Sequence, residues 1–158
     1  MADENKQKNV HLKIPGDPYY LGLIRKVIVE FLSQSGIGEE EAYKVEMAVD
    51  EACANVMEHA YSEMKKEKTP IPLRRQDDFN PAVDLDIKLD KDKVSITIRD
   101  YGEKFDFEKS GKIDLDKFMK EMRTRGLGVF LIKNLMDRAD YTHKPGLGNE
   151  LKLVKYLK

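Results

Sequence analysis

The sequence predicts an α+β fold, a two-layer α/β sandwich in which a mainly antiparallel sheet is covered on one face by helices. Three observations predict it. Two early stretches, Pro18–Gln34 and Glu39–Tyr61, place apolar residues at helical spacing. Strand-like segments come in pairs joined by short turns, the signature of hairpins. The regular strand–helix–strand alternation of a parallel sheet does not occur.

Taken in order, residues 1–8 are polar and read as a disordered tail, leaving 9–158 as a single domain. Val10–Ile14, VHLKI, alternates and ends at Pro15-Gly16, as a short strand does. The first helix is expected over Pro18–Gln34. Leu21, Ile24, Ile28, Phe31 and Leu32 lie on one side, and Gly36 is placed to terminate it. Arg25 and Lys26 belong either to a solvated face or to a partner contact. The central helix is expected to run from Glu39 to about Met64. Lys65–Pro81, with three prolines and mixed charges, reads as an extended surface loop. Val83–Leu89 (VDLDIKL) and Lys93–Arg99 (KVSITIR) alternate on either side of a tight turn and form an antiparallel hairpin. A long polar connection follows, expected to act as a lid over about 103–125. Arg125-Gly126-Leu127-Gly128 then opens an apolar helix. Ala139–Lys144 and Leu151–Leu157 are the last two strands, joined across Pro145–Gly148.

Composition narrows the class. The 158 residues are 36% charged with a net charge of −1, so nothing attracts nucleic acid or an anionic membrane in general. The single cysteine, Cys53, cannot form an intramolecular disulfide; it reads as buried packing, with a redox role as the second reading. MADENKQKNV has no apolar core of a secretory signal, and the run Val129–Ile132 is far too short to span a bilayer. A cytoplasmic protein is expected.

Chemistry concentrates in three places. Within AYKVEMAVDEACANVMEHAY, Glu51 and Asn55 stand one helical turn apart, with Glu58 and His59 a turn further on. A carboxamide offers a neutral oxygen to Mg²⁺, and a carboxylate polarises a hydroxyl or water. The alternative is an ordinary amphipathic helix with a solvated polar face. At a strand end, Asp100-x-Gly102 pairs an acceptor for an amino group with room for a flat base; a strand closed by a turn explains it too. Gly126-x-Gly128 at a helix start suits an anion, and Arg125 is placed beside it; a flexible junction is the other reading. The case rests on the three occurring together and in order.

Together they carry a resemblance. Glu51-x-x-x-Asn55 resembles the N-box of the GHKL (Bergerat-fold) ATPase and kinase superfamily, which includes gyrase, the heat-shock chaperone, histidine kinases and mismatch-repair ATPases. Asp100-x-Gly102-x-x-Phe105 resembles its second box, and Arg125-Gly126-Leu127-Gly128-x-Phe130-Leu131-Ile132 its third. The HAY ending, DYGEKFD and GLGVFLIKNLMD are most similar to bacterial anti-sigma-factor serine kinases of the sporulation and stress-response type. The similarity covers about Leu12 to the C-terminus.

The resemblance implies the Bergerat ATP-binding fold and a protein that binds ATP with Mg²⁺. It implies phosphorylation of a serine on an antagonist of the STAS fold, and sequestration of a sigma factor. By matching position, Glu51 would be the catalytic acid, Asn55 the Mg²⁺ ligand, Asp100 the adenine contact with Gly102 beside it, and Arg125, Gly126 and Gly128 neighbours of the phosphates. His59 would line the nucleotide site, a buried structural histidine being the alternative. A homodimer is implied by the resemblance alone. Lys104 stands where many relatives have a second glycine, and Asn149 where many place a threonine near the adenine-binding aspartate. These departures leave a non-catalytic, nucleotide- or partner-binding switch module as the alternative function.

Overall fold

The computed structural model describes residues 7–60, 82–107 and 127–157. Along the chain these form β1 (Lys8–Pro15), α1 (Leu21–Gln34), α2 (Glu39–Asn55), β2 (Ala82–Leu89), β3 (Lys93–Asp100), α3 (Leu127–Leu135), β4 (Arg138–Lys144) and β5 (Gly148–Tyr156). The strands make one sheet in the order β1-β2-β3-β5-β4, and each adjacent pair is antiparallel. This is the α+β sandwich that the alternation pattern predicts.

Alternation decides which face is covered. Leu85, Ile87, Val94, Ile96, Ile98 and Leu153 point from the sheet into the core. They meet Ile24, Ile28 and Leu32 of α1, Val45, Ala48, Val49, Ala52 and Cys53 of α2, and Val129 and Ile132 of α3. The opposite face is charged: His11 lies 2.7 Å from Asp86, and Arg99 bridges Asp86 and Glu150. The Arg99 hydrogen bond is the main influence holding the Asp86 carboxyl below the usual range.

Local signals set the boundaries. Asp17 caps the chain entering α1 by accepting from Tyr19 N at 2.9 Å, with Pro18 at the first turn. That turn, Pro18–Tyr20, is a 3₁₀ helix, so α-helical geometry starts three residues later than the expected Pro18. At the other end Gly36 takes φ 75°, while Ile37 N donates to Leu32 O and Gly36 N to Ser33 O. This is the αL glycine stop expected there.

The central helix departs from expectation. Its α-helical part ends at Asn55, and Val56–Ala60 forms a π-helical turn. A π turn is wider, so the strict i, i+4 spacing is not kept past Asn55, but Glu58 stays near enough to Glu51 for its charge to act on that carboxyl. The expected continuation to Met64, the loop at 65–81 and the lid beyond residue 107 lie outside the described residues. The last strand starts at Gly148, not Leu151. Its first residues, Gly148, Asn149 and Glu150, lack the apolar alternation by which strands are recognised, but their backbones pair with β3 and β4. Arg25 lies on an exposed face, as the first of its two readings has it, and there it pairs with Asp50 at 2.8 Å, joining α1 to α2.

Candidate functional site

The site lies between α2, α3 and the ends of β3 and β5. The apolar stripe of α2 packs on α3, and Gly128, second residue of α3, is buried at that contact. A Cβ on Gly128 would sit 2.8 Å from Glu51 Oε2 and 3.3–3.4 Å from the amide atoms of Asn55. Glycine is therefore what lets the first turn of α3 touch the acid and the amide directly. The Glu51 carboxyl is raised above its ordinary range, chiefly by burial and further by the negative charges of Asp50 and Glu58. It is thus a better proton acceptor than an exposed glutamate.

Next to this contact is a cavity of about 180 Å³. Ala52, Val56, Ile98, Val129, Ile132 and Leu151 give it apolar walls. Asn55, Asp100 and Asn149 supply polar groups, and Glu103, Lys104 and Phe105 reach it from the turn after β3. A mainly apolar slot with a few fixed polar groups is how proteins hold a flat heterocycle.

Asp100 is buried, and its Oδ1 accepts from Gly102 N at 2.9 Å and from Asn149 Nδ2 at 2.9 Å. Gly102 therefore shapes the turn that orients the carboxylate and is not itself a wall of the cavity. Tyr141 Oη donates to Asn149 Oδ1 at 2.7 Å and accepts from Phe105 N at 2.8 Å. Burial raises the Tyr141 hydroxyl above its ordinary range, the Phe105 N–H opposes this, and the Asp100 charge adds to it. Phe107 stacks on Tyr141 with centroids 5.8 Å apart. Lys133 of α3 lies 4.8 Å from the Phe107 ring centroid and donates to Phe107 O at 2.8 Å. Cys53 is fully buried on α2, and desolvation, with Asp50 and Asp100 adding to it, pushes its thiol up to about 12. The packing reading of Cys53 fits this environment; a reactive thiol does not.

Of the residues singled out by sequence, Asn55, Asp100 and Phe105 line the cavity, while Glu51, Asn55 and Gly128 meet at its edge. Leu127 starts α3 and is partly buried. The backbone of His59 falls in the π-helical turn, and its side chain, like Arg125 and Gly126, lies outside what the structure describes. Sequence reasoning passed over Tyr141, Phe107 and Lys133. Tyr141 is the aromatic on the inward register of β4, opposite Leu151 of β5, a placement that comes from the pairing of the two strands.

The fold and this arrangement define a nucleotide-binding class: the chain belongs to the histidine kinase-like ATPase domain family, whose profile matches residues 14–155. Among individual proteins, it is 29% identical over 159 aligned positions to the serine-protein kinase RsbW of Staphylococcus aureus, covering 98% of this chain and 91% of that one. Two solved structures share the fold. The RsbU and RsbW domains of a Mycobacterium tuberculosis protein superpose with a TM-score of 0.64 at 15% identity, over 95% of this chain and 32% of that chain. The SiaB–SiaC complex of Pseudomonas aeruginosa gives a TM-score of 0.59 at 13% identity, over 94% of this chain and 89% of the matched chain. Among the described residues, no helix is long and apolar enough to cross a membrane.

Proposed function

We propose that this protein is an ATP-dependent serine-protein kinase and anti-sigma factor. Its substrate is a STAS-type antagonist protein, and the sigma factor it holds is released when that antagonist is unphosphorylated. The observation that carries the reading is the meeting of Gly128 with Glu51 and Asn55 at the edge of the cavity that ends on Asp100. In this reading, recognition of a base and transfer of a phosphoryl group take place in one cleft. The 29% identity to a serine-protein kinase over nearly the whole chain supports the same reading.

In this reading Asp100 accepts from the 6-amino group of adenine, and the apolar walls hold the ring. Gly128, with Arg125 and Gly126, lies by the phosphates. Glu51 accepts the proton of the attacking serine hydroxyl. The transfer then needs positioning and charge stabilisation more than covalent help from the protein.

The residues present fit Mg²⁺. Among the described residues no cluster of three or more His, Cys, Asp or Glu side chains is arranged as a cage for a metal. Mg²⁺ typically takes only one or two protein ligands and completes its shell with phosphate and water. The Asn55 carboxamide, beside Glu51 and on the cavity wall, is the protein ligand in this reading. When bound, Mg²⁺ neutralises charge on the phosphates.

In the same reading the protein acts in the cytoplasm as a homodimer. The test is transfer of labelled γ-phosphate from Mg·ATP to candidate STAS-type proteins, followed by identification of the labelled residue. Serine labelling by the wild type, abolished in Glu51→Gln with ATP binding intact, is the expected result. Tight ATP binding with no transfer to any of them would establish the binding-only switch module instead.

A further inference from the structure

Asn149 gathers five side-chain hydrogen-bond contacts in the cleft. Gly148, just before it, has φ 108°, and a Cβ there would lie 2.2 Å from Asp100 O. The ends of β3 and β5 are thus in close contact, with Asn149 directly opposite Asp100. The Asn149 side chain is buried and every part of it is engaged. Nδ2 lies 2.9 Å from Asp100 Oδ1, 3.1 Å from Gly102 O and 2.9 Å from Glu103 O. Oδ1 lies 2.7 Å from Tyr141 Oη and 2.8 Å from His143 Nδ1.

These contacts fix the orientation of the amide. Turned over, Asn149 would set its oxygen against a carboxylate and two carbonyls, with no donor among them. In the orientation present, its N–H groups serve three oxygens, and its oxygen receives the Tyr141 hydroxyl and an Nδ1–H of His143. The Tyr141 hydroxyl is used twice, since it also accepts from Phe105 N at 2.8 Å. The two side chains together grip the turn after β3 at residues 102, 103 and 105, and Glu103, Lys104 and Phe105 are the part of that turn that faces the cavity. The two amide hydrogens cover the three oxygens only with one of them shared between two acceptors, and a threonine hydroxyl, with a single hydrogen, offers still less.

We propose that Asn149, gripped by Tyr141, is a positioning residue for purine selection: it sets the Asp100 carboxylate and holds residues 102–105 closed over the cavity. This rests on the reading of the cavity as an adenine site. Its consequence is specific. Loss of the clamp weakens recognition of the 6-amino group, which depends on the direction of the Asp100 carboxylate. It has much less effect on recognition of the rest of the nucleotide.

The experiment compares Mg·ATP with the Mg complex of purine riboside triphosphate, which lacks the 6-amino group, by calorimetric titration of the full chain. The wild type should prefer ATP by roughly tenfold or more, as expected for a hydrogen bond to a charged group. Asn149→Ala should bring the two Kd values within about twofold of one another while moving the analogue's Kd less than about threefold. Asn149→Thr, which restores one donor, should fall between. An undiminished preference in Asn149→Ala overturns the proposal, as does an equal loss of affinity for both nucleotides, since a merely structural amide would weaken both alike. A wild type that binds both nucleotides equally overturns the adenine reading itself, and the clamp with it. If Asn149→Ala fails to show a cooperative melt, Tyr141→Phe carries the test: it keeps the ring against Phe107 and removes only the hydroxyl. A preference reduced at least about threefold is then expected, and an unchanged preference refutes the clamp.

Discussion

Replacing Gly128 by alanine separates the site from the fold. The added Cβ would lie 2.8 Å from Glu51 Oε2, whereas ordinary contact begins at 3.4 Å, so the carboxylate must retreat by at least the difference, 0.6 Å. The Asn55 amide, at 3.3–3.4 Å, must also give slightly. The obstructing atom is the end of a flexible side chain, so the cost to folding is at the low end of overpacking, about 1 kcal/mol. Alanine returns up to about 1 kcal/mol through its higher helix propensity. The net change in stability should therefore be within about 1 kcal/mol, or about 2–4 °C in Tm for a domain of this size. Catalysis is less forgiving. A misplacement near 1 Å at a reacting centre costs on the order of a hundredfold, so a fall of roughly ten- to a hundredfold in kcat is expected. The assay is phosphate transfer at saturating Mg·ATP, with Kd for ATP and Tm read on the same preparation. Transfer within twofold of wild type would refute the idea that Gly128 sets the Glu51 carboxylate. A loss of Tm beyond about 10 °C would show that the glycine serves the fold instead.

Further outcomes follow from the same site and its surroundings. Transfer should fall as pH is lowered through the raised Glu51 carboxyl, because the group must be ionised to accept a proton; Glu58→Gln, which removes one of its negative neighbours, should move that acid limb to lower pH. The effect on stability has the opposite sign. A carboxyl that holds its proton more tightly when folded loses stability as pH rises from its unfolded value through the folded one, so Glu51→Gln should raise Tm near pH 7 while abolishing transfer. Gly148→Ala combines a left-handed backbone with a Cβ placed 2.2 Å from Asp100 O and should cost about 2–5 kcal/mol, read as a Tm lower by roughly 10 °C; an unchanged Tm would contradict the close approach of β3 and β5. Cys53, buried with its thiol near 12, should stay unreactive to a thiol reagent at pH 8 until denaturant is added, and rapid labelling of the folded protein would contradict its place in the core.

The parts of the fold that were legible in the sequence are those written locally. The β2–β3 hairpin is encoded by strict alternation around Asp90–Asp92, and the end of α1 by Gly36. The facing of Glu51 and Asn55 follows from a single helical turn. What could not be read depends on partners distant in sequence or on backbone geometry with no residue signature. The π turn at Val56–Ala60 carries no glycine or proline to announce it. The start of β5 is hidden because Gly148, Asn149 and Glu150 are there to meet β3 and not to fill the core. For the same reason Asn149 read as a missing threonine hydroxyl. Only the register that sets it opposite Asp100 shows how far its amide reaches. Tyr141 became visible only when β4 was paired with β5.

The strand order also decides when the cleft comes into existence. β5 is inserted between β3 and β4, so the edge of β3 is sealed by a strand that the ribosome has yet to make. Asp100 and its partner Asn149 are separated by 49 positions. At ordinary rates of synthesis that gap lasts about 2–10 s. Until β5 docks, the outer edge of β3 is unpaired, and an unpaired strand edge can recruit another chain. Competence to bind nucleotide arrives only once β5 has docked, so ligand binding reports completion of the sheet during biosynthesis as directly as it reports function afterwards.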